Sequence, residues 1–236
     1  SLPSRGLGDV YKRQGVLSTA VVYDPQSDQW QPLAHMASAR TELTAAAAGG
    51  KIYAIGGDNS DDDAMATVEA FDPLLGAWAE VASMSVARCH HAAAVIDGKI
   101  YVSGGEDAVG DDLDTVEAYD PQADSWQQVA SMPVIRGRHA ATSIGGKIYV
   151  TGGHGDDDDD DITSTATVFD PLANTWAQLA SMSSARSDHA SAAIGGKLYV
   201  FGGYGSDGLR MASVEAYDPI SNTWAQVSDL TPTRDE

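Results

Sequence analysis

One basic residue recurs on a fixed beat, with an imidazole close behind it. Arg40, Arg88, Arg136, Arg186 and Arg234 stand 48, 48, 50 and 48 residues apart, and His91, His139 and His189 each follow an arginine by three positions. Guanidinium groups repeated in this way suit the holding of carboxylates through charge-assisted, often bidentate, hydrogen bonds. Leu43 replaces histidine in the first unit, so no complete ring of imidazoles can form. Arg138 and Arg210 are off the beat, as are His154 and Tyr204. An aromatic side chain near an arginine is the usual material of a binding hot spot.

Metal chemistry finds little support in the spacing. Asp58, Ser60, Asp62 and Glu69 fall at positions 1, 3, 5 and 12 of a calcium-binding loop built from oxygen ligands. The sixth position, which needs glycine, is Asp63; Glu69 recurs as Glu117 and Glu215 and so belongs to the repeat. The six-Asp run 156–161 reads as solvated charge. The single cysteine, Cys89, precludes an internal disulfide and stands where other units have Thr41, Gly137 and Ser187, so it reads as a small residue. No metal and no cofactor are expected.

The elements that must position these residues are repeats. Trp30, Trp78, Trp126, Trp176 and Trp224 keep the same steps of 48, 48, 50 and 48, as do Tyr23, Phe71, Tyr119, Phe169 and Tyr217, each followed by Asp-Pro. Self-similarity near 50 residues is the mark of a repeat architecture. In the unit starting at Arg88, a first strand over 88–96 ends at Asp97-Gly98, a pair suited to a type I′ hairpin, and a second strand covers 99–103. Gly-Gly fills the same turn at 49–50, 145–146 and 195–196. A glycine doublet then closes the second strand at 56–57, 104–105, 152–153 and 202–203, which predicts a close backbone approach that a side chain would block. The third strand covers 115–119, and Asp-Pro opens a turn. Asp28, Gly76, Asp124, Asn174 and Asn222, two residues before each Trp, are types that tolerate a left-handed conformation. The fourth strand carries the Trp, which is expected to be buried.

Four strands with a glycine doublet, a Tyr or Phe and a Trp at set distances resemble the Kelch repeat, over residues 18–234. The resemblance implies an all-β fold, a β-propeller of four-stranded antiparallel blades, with the first strand of each blade lining a central channel and the fourth outside. The alanine-rich first strands (Ala45 to Ala48, Ala92 to Ala94, Ala140, Ala141, Ala190, Ala192, Ala193) agree with crowding around an axis. The nearest likeness is to the Kelch domain of Kelch-like substrate adaptor proteins, although no segment resembling their BTB module lies within these 236 residues.

Residues 1–14 fit no phase of the repeat and read as a non-repeat leader. A half blade over 15–35 precedes blades at about 36–83, 84–131, 132–181 and 182–229, with the start of another at 230–236. Four complete blades plus a half blade are expected, a fragment of a five- or six-bladed ring, whose open blade edges favour self-association.

The net charge of −20 argues against nucleic acid and anionic membranes as partners. Sixteen of the thirty-four acidic residues lie between second and third strands. Because strands alternate in direction, the 2–3 and 4–1 loops share one face, where the arginine beat and these acidic runs meet. The resemblance implies that this face binds a protein or peptide partner, and the candidate partner-binding residues are Arg40, Arg88, Arg136, Arg138, Arg186, His154, Tyr204 and Arg210. The competing reading of the repeated arginines is structural, as partners of a carboxylate or carbonyl in the next blade. No catalytic residue is assigned. Galactose oxidase shares the propeller, yet nothing around Cys89 supplies its copper ligands. A sugar-binding or mutarotase-like enzyme of Kelch type, using Arg88, His91, Arg136 and Glu106, is the alternative to a non-enzymatic interaction module.

Overall fold

The computed structural model describes residues 16–155 and 162–230. The leader at 1–14, the six-Asp run 156–161 and the tail 231–236 with Arg234 lie outside the described residues. All regular structure among the described residues is β. Strands β1 (Val21–Asp24) and β2 (Gln29–Pro32) form a two-stranded sheet. Four antiparallel four-stranded sheets follow, each made of consecutive strands. They are β3 (Thr44–Ala48), β4 (Lys51–Ile55), β5 (Val68–Asp72) and β6 (Ala77–Val81); β7 (Ala92–Ile96), β8 (Lys99–Ser103), β9 (Val116–Asp120) and β10 (Ser125–Val129); β11 (Ala140–Ile144), β12 (Lys147–Thr151), β13 (Ala166–Asp170) and β14 (Thr175–Gln178); and β15 (Ala190–Ile194), β16 (Lys197–Phe201), β17 (Val214–Asp218) and β18 (Thr223–Val227). These are propeller blades, four complete and one half. The alanine-rich first strands neighbour one another in chain order, β3 beside β7, β7 beside β11 and β11 beside β15.

Local chemistry explains the turns. Asp97 and Gly98 take φ of 49° and 78°, as a type I′ hairpin requires. Asp28, Asp124, Asn174 and Asn222 all have positive φ before the fourth strand. The glycine doublets are forced by proximity: a Cβ on Gly104 would lie 2.3 Å from the carbonyl oxygen of Arg136, and one on Gly105 2.4 Å from that of Cys89. The first strand of the second blade starts at Ala92 rather than Arg88, because residues 88–91 are engaged at the junction between blades.

That junction is where the core sits. Each apolar cluster spans two sheets: Ile55, Val68 and Met84 with Ile100, Val102 and Tyr119; Val116 and Met132 with Ile148, Val150 and Phe169; Tyr149 and Met182 with Leu198, Val200 and Tyr217. Each described arginine of the beat then crosses such a boundary. The amide of Arg88 donates to Met65 O at 3.1 Å and its carbonyl accepts from Gly57 at 2.9 Å, which ties its backbone to the first blade. Its guanidinium reaches into its own blade, donating to Gly104 O at 2.7 Å, to Thr115 and to Glu117 Oε1 at 3.0 Å. Arg40 and Arg186 repeat the pattern with Glu69 and Glu215, both at 2.9 Å. The carboxylate therefore lies in the arginine's own blade rather than the next, and the link between blades runs through backbone to the preceding one. Each glutamate also accepts amides of the preceding 4–1 loop, as Glu117 does from Ser85 at 2.8 Å.

The tryptophans brace the outside of the same boundary and are not fully enclosed. Trp126 is half-buried and Trp30 is 67% exposed. Their contribution is directional: the indole N–H of Trp126 donates to Ala82 O at 2.7 Å, while the Ala82 amide donates to Asp124 Oδ1 at 2.9 Å. Trp176 and Trp224 do the same to Ala130 and Ala180, with Asn174 and Asn222 as the acceptors. An outer strand with one face in solvent leaves half of each indole wet. Lys51, Lys99, Lys147 and Lys197 pair with Asp72, Asp120, Asp170 and Asp218 at 2.9 to 3.4 Å on the opposite face, where exposure leaves such pairs worth little.

The third blade departs from the frame at two positions together. Thr167 replaces the glutamate, and Pro133 replaces the serine whose amide the carboxylate would accept. Arg136 consequently has oxygen partners at Gly152 and Thr165 but no carboxylate among the described residues, and burial lowers its pKa to about 10. The fully buried Thr167 hydroxyl has no partner. Glu117→Ala, which strands the enclosed Arg88 guanidinium, is expected to cost about 3–5 kcal/mol in urea unfolding. Thr167→Ala is expected to cost about 1 kcal/mol or less. Equal losses in the two variants would contradict the arginine–glutamate link.

Candidate functional site

The repeated frame ends at the face of the 2–3 and 4–1 loops in an array whose backbone is regular and whose side chains are not. Isolated antiparallel bridges join Thr41 to Asp58 and Asp58 to Ala64, Cys89 to Glu106 and Glu106 to Asp112, Gly137 to His154 and His154 to Ile162, and Ser187 to Tyr204 and Tyr204 to Arg210. One residue further along, Glu42, His90, Arg138 and Asp188 surround the channel mouth with φ between 48° and 54°. Left-handed conformations are unusual for such residues. Backbone bonds hold them there, from His90 to Glu42 O at 3.2 Å, from Arg138 to His90 O at 2.8 Å and from Asp188 to Arg138 O at 3.0 Å. Equivalent positions thus carry Glu, His, Arg and Asp in the mouth row, and Asp, Glu, His and Tyr after the glycine doublets.

Several of these side chains meet. His90 lies between two carboxylates, with Nδ1 3.5 Å from Glu42 Oε2 and Nε2 4.0 Å from Glu106 Oε1. The Arg138 Nε–H donates to Glu106 Oε1 at 3.2 Å. The Arg210 guanidinium lies 6.0 Å from the ring centre of Tyr204, which is 37% exposed. Burial, then the Asp58 and Glu106 carboxylates, push the Cys89 thiol far up from its ordinary value. Asp58, Cys89 and His90 bring one oxygen, one sulfur and one nitrogen within 4.8 Å of one another. The mouth itself is a cavity of about 140 Å³ lined by Glu42, Leu43, His90, His91, Arg138, His139 and Asp188.

The residues singled out from the sequence divide into two layers. Arg138, His154, Tyr204 and Arg210 belong to the array at the face. Arg40, Arg88, Arg136 and Arg186 lie beneath it, at 3%, 0%, 0% and 0% exposure, with their terminal Nη1 and Nη2 groups bonded within the blade frame and their Nε–H without a partner among the described residues. A partner touching the face would not reach them. Glu69, a candidate calcium ligand by spacing, is likewise turned inward to Arg40. What sequence reasoning missed is the mouth row Glu42, His90, Arg138 and Asp188, of which only Arg138 stood out. The signal was available, since the position two after each arginine changes charge or type in every unit, between an arginine that recurs in all of them and a histidine that recurs in three.

His91, His139 and His189 form the floor under the array. They are 6 to 7% exposed, and their rings pack against glycine doublets: a Cβ on Gly104 would lie 2.8 Å from Cε1 of His139. His139 and His189 meet the hydroxyls of Ser103 and Thr151 at 2.9 Å. Ile55, which has no hydroxyl, occupies the corresponding place before His91. Burial first, then the neighbouring arginines, lowers the pKa of His91 and His189 to about 3 and that of His139 well below its ordinary value. The folded chain keeps these rings neutral, whereas the unfolded chain protonates them near pH 6.5. Unfolding then takes up protons, so stability is complete above about pH 6.5 and falls on acidification towards pH 3. Between pH 6.5 and 5 the loss belongs to the histidines, because Asp72, Asp120 and Asp218, held low mainly by turn amides, titrate only below that window. The urea midpoint is expected to drop over this range, with a shallower drop in His139→Gln. A midpoint that is flat from pH 8 to 5 would contradict neutral burial.

Comparison with known proteins adds the family. The solved structure of YjhT superposes with a TM-score of 0.79 at 16% sequence identity, covering 94% of this chain and 86% of that one, which establishes likeness of fold. No curated protein matches the chain significantly. A family model described as the KLHDC2/KLHL20/DRC7 Kelch-repeats domain matches residues 7–180 and 43–234. With that match over most of its length and four blades of this geometry, the chain belongs to the Kelch-repeat family of β-propellers.

Proposed function

We propose that this chain is a non-enzymatic protein-interaction module that holds a basic segment of a partner protein against the face bearing the 2–3 and 4–1 loops. The observation that carries this reading is the division into layers. The repeated side chains are used below the face, and those that vary between blades are gathered on it. The array is predominantly acidic, with Glu42, Asp58, Glu106, Asp112 and Asp188 against Arg138 and Arg210. Charge of one sign steers a partner of the other.

Apolar groups for a protein surface stand around the same face. Val109, Leu209 and Val134 are 79%, 65% and 48% exposed on its loops. Between the second and third blades lies a groove of about 400 Å³ whose lining includes Pro133, Val134 and Ile135 together with Asp114, Thr163 and Thr165. An aliphatic stem ending in a cation, as in lysine, matches that lining. The sugar-binding or mutarotase-like alternative is served less well. Three of its four candidate residues, Arg88, His91 and Arg136, are buried, and the mouth cavity of about 140 Å³ is small beside the ~300 Å³ and upwards of typical ligand pockets.

Fluorescence anisotropy with labelled lysine-rich and glutamate-rich peptides, alongside calorimetry with free hexoses and sialic acid, separates these readings. The basic peptide is expected to bind with an affinity that falls as salt rises, and to weaken in Glu42→Gln/Asp112→Asn/Asp188→Asn. Tyr204→Ala is expected to cost about 2 kcal/mol if the ring is an anchor. Saturable binding of a free sugar, with no salt-dependent binding of the basic peptide, would overturn the proposal in favour of the alternative.

A further inference from the structure

We propose that Asp58, Cys89 and His90 form a binding site for a divalent transition-metal ion of the zinc type at the junction of the first and second complete blades. Their carboxylate oxygen, sulfur and imidazole nitrogen all lie within 4.8 Å of one another. Tetrahedral zinc, at about 2.3 Å from sulfur and 2.0–2.1 Å from nitrogen or oxygen, sets such donors about 3.3–3.7 Å apart. Side-chain shifts of about 1 Å close that gap. A thiolate with an imidazole and a carboxylate is a zinc-type donor set, unlike the all-oxygen sets that calcium and magnesium prefer.

Three surrounding features fit an ion. Asp58 Oδ1 is shielded from solvent, with no hydrogen-bond partner among the described residues. His90 is flanked by carboxylates on both sides, so whichever ring nitrogen binds metal, the other N–H faces Glu42 or Glu106. That is the carboxylate–histidine–metal arrangement that orients ligating imidazoles. Arg138 balances Glu106, which leaves Asp58 and Glu42 as negative charge that a bound cation would offset. On binding, the Cys89 thiol proton passes to solvent and the sulfur–metal bond takes its place. His90 lines the mouth cavity, which supplies a route of entry and a side on which a fourth ligand, water or a partner's side chain, can stand.

The site is specific to one junction. At the next boundary the corresponding residues are Glu106, Gly137 and Arg138, and at the one after it His154, Ser187 and Asp188, so no other described junction combines thiol, imidazole and carboxylate. The repeat makes this legible, since each of the three donors departs from its counterparts at a position where the backbone is held constant.

Cobalt(II) titration of the purified full chain, followed by absorption spectroscopy, tests the site. One equivalent is expected to produce a thiolate-to-cobalt charge-transfer band with the intense visible bands of tetrahedral cobalt, and one equivalent of zinc is expected to abolish both. Cys89→Ser and Asp58→Asn, checked for folding by circular dichroism, are expected to lose the charge-transfer band and to weaken zinc at least tenfold, whereas Asp61→Asn is expected to change neither. Cobalt binding by the unmodified chain without a charge-transfer band would assign any affinity to the acidic runs and overturn the proposal. So would a band that persists in Cys89→Ser.

Discussion

A guanidinium that is removed from water must be answered by oxygen atoms, and this constraint organises the molecule. Each arginine of the beat presents five N–H donors, and the fold meets most of them with groups that only a correctly assembled blade can supply. These are the carbonyl at the glycine doublet, a threonine or serine at the start of the third strand and, for Arg40, Arg88 and Arg186, a glutamate two residues later. The same residue's backbone is bonded to the preceding blade. One side chain therefore reports on the assembly of two sheets, and the glycine doublet follows from it, because a Cβ there would strike the arginine's carbonyl. Buried pairs of this kind gain little over apolar packing, yet breaking one is costly. Their effect is to penalise every misaligned junction.

Function is shaped by what the frame leaves over. With arginine, glutamate and histidine used beneath the face, the loops above need only keep their backbone bridges, and side chains there can change without affecting the blades. Glu42, His90, Arg138 and Asp188 occupy one backbone position with four different chemistries. A surface assembled in this way is acidic, mixed in shape and unrepetitive, which suits recognition of one partner better than a symmetric ring of arginines would. At the first junction the same freedom has placed thiol, imidazole and carboxylate side by side.

Much of the framework was legible because it is local in sequence. The Asp97-Gly98 hairpin, the doublets and the left-handed residue before each Trp are short-range consequences of turn chemistry, and all are found where the spacing predicts. The arginines were harder to assign. Their partners lie 16, 27 and 29 residues away, so nothing nearby distinguishes a guanidinium that holds a blade from one that holds a ligand. Trp126 shows the opposite difficulty: its recurrence signalled importance, but the work is done by its indole N–H on Ala82 rather than by full burial. The metal-donor cluster was invisible for a third reason, since Asp58 and Cys89 belong to different blades and meet only when those blades pack.

The junction arginines are buried and tie each blade to the one before it. Native-state amide hydrogen exchange reads this directly at Gly57, Gly105 and Gly153, which donate to the carbonyls of Arg88, Arg136 and Arg186. Amides at such junctions are predicted to exchange only through global unfolding, with the same dependence on urea as the whole transition. Turn amides such as that of Gln122, bonded only to the Asp120 side chain, are predicted to exchange much faster. If the three glycine amides exchanged as fast as the turns while the sheets stayed protected, the arginines would be peripheral to the fold and the account would be wrong.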